Sequence, residues 1–131
     1  MNGNKSVLDS NLIILASKQQ INTEKLLSLY DEFYVSIVTY MKVYAYDFQN
    51  QDEKDLIDEL FANLEIVEIS RAVAEQAIIY CKNKIKRIKL PDAIILATAK
   101  YLNADLMSDD WDDFQGIDNF VNVLNLDALR I

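Results

Sequence analysis

The sequence has no histidine, one cysteine, one proline and two glycines. Without histidine there can be no Ser-His-Asp or Cys-His nucleophile system, and no zinc site built on imidazole. A lone Cys81 excludes a disulfide framework and an all-cysteine zinc cluster. It suits a reducing cytoplasm, and that is the expected location. Scarce glycine and proline leave few turn signals and point to many helices. Residues 1–9 hold no long apolar core, so no secretory signal is expected. No apolar run approaches the ~20 residues that a membrane helix needs. Positive charge is also short: 13 Lys and Arg stand against 21 Asp and Glu, a net charge of −8. That balance argues against a broad basic surface for nucleic acid, while leaving room for a local basic patch or an acidic, cation-binding pocket. What is present is a chain of 131 residues, 51% hydrophobic, enough for a core in one domain spanning 1–131.

Apolar periodicity sets out the elements. Ser6–Leu8 reads as a short strand, and Asp9, Ser10 and Asn11 are all good caps for an apolar helix through Ala16. A helix start is expected at Thr23, a strand over Phe33–Val35, and a mostly buried helix over Ser36–Tyr46. Leu56, Ile57, Leu60, Phe61 and Leu64 have helical spacing. Leu64–Ile69 reads as a strand, and Ser70 as the cap of a helix reaching about Asn83. Pro91 opens a helix that is apolar nearly all round and therefore central. Asp105–Ser108 reads as a strand running into an acidic loop, and Val121–Leu124 as a last strand. Alternating strands and helices predict an α/β fold with a mainly parallel sheet. In such sheets ligands gather beyond the carboxyl ends of the strands.

Three acidic spots fall where that rule points. Asp9 ends the first strand, Asp92 starts the central helix, and Asp109, Asp110, Asp112 and Asp113 follow the Leu106–Met107 strand. Converging carboxylates repel and raise one another's pKa unless a cation neutralises them, and hard oxygen ligands suit Mg2+ or Mn2+. Each acid also has a plainer role: Asp9 and Asp92 as helix caps, the 109–113 run as a solvated loop. Lys82, Lys84, Lys86, Arg87 and Lys89 form the one concentrated basic stretch. They either steer an RNA backbone towards the acids or simply face solvent at a helix end. The tyrosines at 30, 34, 40, 44, 46 and 80 read as core or interface residues.

Four segments in order carry a family resemblance: L-D-S-N from Leu8, V-S-I-V-T-Y-M from Val35, L-P-D-A-I-I-L-A-T-A from Leu90, and A-D-L-M-S-D-D-W-D-D-F from Ala104. Over nearly its whole length the chain resembles a PIN domain, specifically the VapC-type ribonuclease toxins of toxin–antitoxin systems. The resemblance implies a PIN-like α/β fold, a mainly parallel sheet of four or five strands flanked by helices, and a metal-dependent endoribonuclease that hydrolyses RNA phosphodiester bonds, with tRNA or rRNA as the substrate class. It also implies Mg2+ or Mn2+ as cofactor, a homodimer, and a VapB-like antitoxin as partner. Residue by residue, it makes Asp9, Asp92 and Asp110 the acids of the site, with Asp113 as a further metal ligand. Ser10, Asn11, Thr39 and Ser108 become supporting residues; Lys84, Lys86, Arg87 and Lys89 stand as candidate RNA contacts on their charge alone.

One position departs from the pattern. Where the family carries its second acid, three residues after Thr39, this chain has Lys42. The exchange removes a ligand and changes the local charge by two units. Lys42 either pairs with Asp9 and Asp92, filling the cation's place, or points aside while a metal binds the remaining acids. The first is the expectation, because a lysine head group near buried acids is stabilised by pairing with them. The competing functions are therefore an RNase toxin, intact or impaired at Lys42, and a catalytically inactive PIN-like module that binds antitoxin or RNA. A plain α/β phosphoesterase acting on small substrates is a third.

Overall fold

A computed structural model describes residues 4–131. Strands β1 (Lys5–Leu8), β2 (Glu32–Ser36), β3 (Glu65–Val67), β4 (Asp105–Met107) and β5 (Val123–Leu124) form one sheet in the order β3-β2-β1-β4-β5. Every pairing is parallel. Helices α1 (Ser10–Ser17), α2 (Thr23–Leu29), α3 (Ile37–Tyr44), α4 (Gln51–Phe61), α5 (Arg71–Cys81), α6 (Leu90–Leu102) and α7 (Trp111–Phe114) alternate with the strands. A 3-10 turn, Asp127–Leu129, follows β5.

The strands are apolar on both faces, as a parallel sheet covered on both sides requires. Val7, Tyr34 and Leu106 face one layer, with Leu96, Ala93 and Val73 of α6 and α5. Leu8, Val35 and Met107 face the other, with Leu12, Val43, Ile57 and Leu129. The result is a helix–sheet–helix sandwich. α6 supplies the central buried helix, from Ala93 to Ala99, and Asn103 closes it in the left-handed conformation.

Several boundaries differ from the sequence expectation. β3 stops at Val67 instead of running to Ile69, and Ile66 and Ile69 are exposed. β3 is the sheet's edge, so its apolar side chains lack a second covering layer. β5 is likewise only Val123–Leu124. α3 is not mostly buried: Val38, Thr39 and Val43 face inward, while Tyr40, Met41 and Lys42 are exposed. Of the tyrosines, Tyr34 and Tyr80 lie in the core and Tyr40 lies on the surface. The acidic loop after β4 contains α7, one turn of helix that the charges around Trp111 conceal.

Candidate functional site

Chain order makes β1 the centre of the sheet. Its neighbour on one side is β2 and on the other β4, so the crossovers leave it in opposite directions. The crevice of such a sheet opens at the carboxyl ends of these strands. Asp9 lies there, anchored by its backbone N–H on the carbonyl of Met107 at 3.0 Å. Its carboxylate is buried and both oxygens are engaged. The N–H of Ser10 donates to Oδ1 at 2.8 Å, capping α1, and the hydroxyl of Ser108 donates to Oδ2 at 2.7 Å. Of the three candidate caps, Asp9 is the N-cap and Ser10 the first helical residue. Burial raises the Asp9 pKa above its ordinary value of 3.8. The hydrogen bonds from Ser108 and Ser10 pull it down, the charge of Asp92 pushes it up, and Lys42 pulls it down.

The same charges act on Asp110. Burial and the carboxylates of Asp113, Asp109 and Asp92 raise its pKa, while Lys42 lowers it. Its Oδ2 accepts from the Asn11 side-chain amide at 2.5 Å, and its backbone N–H donates to Ser108 Oγ at 2.9 Å. The Ser108 hydroxyl thus links Asp9 to Asp110. Asp92 stands in the first turn of α6, and its Oδ1 lies 3.7 Å from Nζ of Lys42. The fold therefore brings Asp9, Asp92, Asp110 and Lys42 into one electrostatic neighbourhood, with Asn11 and Ser108 between them.

Lys42 pairs with Asp92, and among the described residues it makes no ion pair with Asp9, whose oxygens accept from Ser10 and Ser108. Thr39, one turn earlier on α3, is fully buried and its hydroxyl has no hydrogen-bond partner. Asp113 is exposed and shares a small depression with Arg87, Lys89 and Asp92. Lys84 is exposed. Lys86 is not available to a ligand: its Nζ donates to the carbonyls of Asp112 and Gln115 and holds the end of α7. Two ties were not expected from the sequence. One is this use of Lys86, and the other is an ion pair between Arg130 and Asp109. Both join residues more than twenty positions apart, and no local pattern marks them.

Among the described residues, no group of three His, Cys, Asp or Glu side chains is gathered as a metal site. Both Asp9 oxygens accept hydrogen bonds, Asp110 accepts one from Asn11, and Asp92 faces an ammonium. As placed, these residues do not fit Mg2+ or Mn2+. A cation is already present beside the acids, and it belongs to the protein.

The comparisons agree with the topology. The PIN domain family matches residues 6–119, and the chain belongs to that family. PIN domains generally use divalent metals. Among solved structures, a toxin–antitoxin complex from Klebsiella pneumoniae is similar at 26% identity and a TM-score of 0.75, covering 91% of this chain and 95% of that one. DNA-bound VapBC from Salmonella typhimurium has a TM-score of 0.78 at 15% identity, covering 94% and 98%, which shows the shared fold. FitAcB from Neisseria gonorrhoeae is 25% identical with a TM-score of 0.67, covering 92% and 96%. No curated protein matches. Among the described residues, no helix is long and apolar enough to cross a membrane.

Proposed function

We propose that this chain is a VapC-like toxin of a toxin–antitoxin pair whose RNA-hydrolysing centre is impaired by Lys42. The observation that carries this reading is the 3.7 Å approach of the Lys42 ammonium to Asp92, at the position where the resemblance expects an acid. Support for the toxin class comes from the family match and from neighbours of the same fold in toxin–antitoxin complexes. On this reading residues 1–131 act as one PIN-like unit in the cytoplasm. Its antitoxin is VapB-like and basic where it meets the acids, and its active form is a homodimer.

The chain's own residues do defined work. Asp9 and Asp110 share the Ser108 hydroxyl, which keeps both carboxylates at the crevice. Lys42 offsets one unit of charge beside Asp92 and acts only weakly on Asp9 and Asp110. An ammonium lacks the open coordination positions through which a divalent ion activates water, so a bound phosphodiester would meet the acids without a hydroxide source. Arg87 and Lys89, beside Asp92, are the cations placed to meet an RNA backbone. The second reading, an inactive module that binds antitoxin or RNA, is favoured by the same ion pair carried to its limit.

The test is cleavage of tRNA and rRNA with Mg2+ or Mn2+, with and without EDTA, by wild type and by Lys42→Glu. Weak or absent cleavage by wild type and a metal-dependent gain in the variant are expected. Robust wild-type cleavage that Asp92→Asn abolishes overturns the impairment. No cleavage by either form, with antitoxin binding retained, selects the inactive module.

A further inference from the structure

The segment after the 3-10 turn returns across the molecule and is tied down on both sides of Arg130. The backbone N–H of Asn22 donates to the carbonyl of Leu129 at 2.8 Å, and that of Ile131 donates to the carbonyl of Gln20 at 3.1 Å. Arg130 itself forms an antiparallel bridge with Ile21. The Lys25 ammonium adds a hydrogen bond to the carbonyl of Ala128 at 3.1 Å. This strap carries the Arg130 guanidinium to the carboxylate of Asp109, with Asp127 4.0 Å away on its other side.

We infer that Arg130 is a positioning residue for the acidic loop: it holds Asp109 so that the next residue, Asp110, keeps its carboxylate on Asn11 and its N–H on Ser108. Asp109, Asp110, Asp112 and Asp113 occur within five positions, and their mutual repulsion works to splay the loop. A half-exposed ion pair ordinarily contributes little, because two long side chains must be ordered to make it. Here the strap has already fixed the Arg130 backbone, so less of that entropy remains to be lost. Asp109 is equally constrained, directly after Ser108, whose N–H donates to the carbonyl of Leu124 at 3.1 Å. With Asp109 anchored, the chain reverses into α7, and Lys86 secures that helix's far end. The loop is thus held by a cation at each end, with Asp110 near its start.

The inference rests on the reading that Asp110 belongs to the functional site, and its test is independent of metal binding or RNA cleavage. Hydrogen exchange by NMR is followed at the backbone amide of Asp110 and at the Asn11 side-chain amide. In Arg130→Met, both are expected to exchange about tenfold faster, the scale of losing a charge-assisted hydrogen bond. Amides of α6 should keep their rates. Asp109→Asn should reproduce the effect, and the double variant should add nothing to it. Arg130→Lys should recover most of the protection. Unchanged exchange at Asp110 and Asn11 in Arg130→Met, even with a lowered Tm, overturns the inference, since the strap is then merely structural. So does an equal rise throughout α6, or an Arg130→Lys variant that behaves like Arg130→Met.

Discussion

Replacing Lys42 is the decisive perturbation, and its size follows from one distance. An ion held by Asp92 Oδ1 at the ~2.1 Å usual for Mg2+ would lie within ~5.8 Å of Nζ, because the oxygen and the nitrogen are 3.7 Å apart. Lys42 is partly exposed, so the water limit is the appropriate one. At that range each pair of unit charges interacts by ~0.7 kcal/mol. Lys42→Met removes one positive charge facing a doubly charged ion, about 1.4 kcal/mol or about tenfold in affinity. Lys42→Glu reverses the charge and doubles the effect to about 2.9 kcal/mol, or about a hundredfold, before any gain from direct ligation. The assay is calorimetric titration with Mn2+ at low ionic strength, where screening does not hide the term. The expected order of affinity is Lys42→Glu, then Lys42→Met, then wild type, and added salt should compress the differences. Equal affinities in all three would refute the charge argument, as would a wild type that binds tightest.

Three further outcomes test the surroundings. Asp9→Asn keeps a capping side chain and should stabilise the fold by about 1 kcal/mol at neutral pH. Because burial raises the Asp9 pKa above 3.8, wild type loses stability as pH rises through the folded-state value. The advantage of Asp9→Asn in thermal melts should therefore vanish below the unfolded-state pKa. Thr39→Val removes a buried hydroxyl that has no partner, and urea denaturation should show a gain of about 1 kcal/mol. At Asp118, burial works to raise the carboxyl pKa, but hydrogen bonds from Tyr80, Lys100 and the Phe120 N–H outweigh it and hold it below 3.8. That contribution is present above the unfolded-state pKa and is lost as pH falls through the folded value. Asp118→Asn should thus cost about 2 kcal/mol at neutral pH and progressively less in acid melts.

The legible parts of the fold were those with a strong local signal. Asp9 before an apolar run, Pro91 before another, and strands buried on both faces announce themselves in short windows. The half-exposed face of α3 did not, because Tyr40 and Met41 are apolar residues that no layer covers. α7 was hidden because four of its residues and neighbours are acidic, and it is held by Lys86 from a distant loop. Element ends suggested only that Asp9, Asp92 and the acids of 109–113 converge; it was the family resemblance that singled out Asp110 among them. That Lys42 would pair with Asp92 and not with Asp9 depended on how the fold sets α3 against the start of α6, a placement that spacing in the sequence does not carry.

The central placement of β1 has a consequence for how the chain is made. β1 leaves the ribosome first, and β2 can pair with it early. Its other neighbour, β4, comes far later: the Ser108 hydroxyl that completes the Asp9 carboxylate is separated from it by 99 residues. Until β4 is made one flank of β1 stays open, an unpaired edge of the kind chaperones attend. No nascent fragment ending before Ser108 can assemble the acidic crevice. Whatever the crevice binds, it binds only once both halves of the sheet have been made.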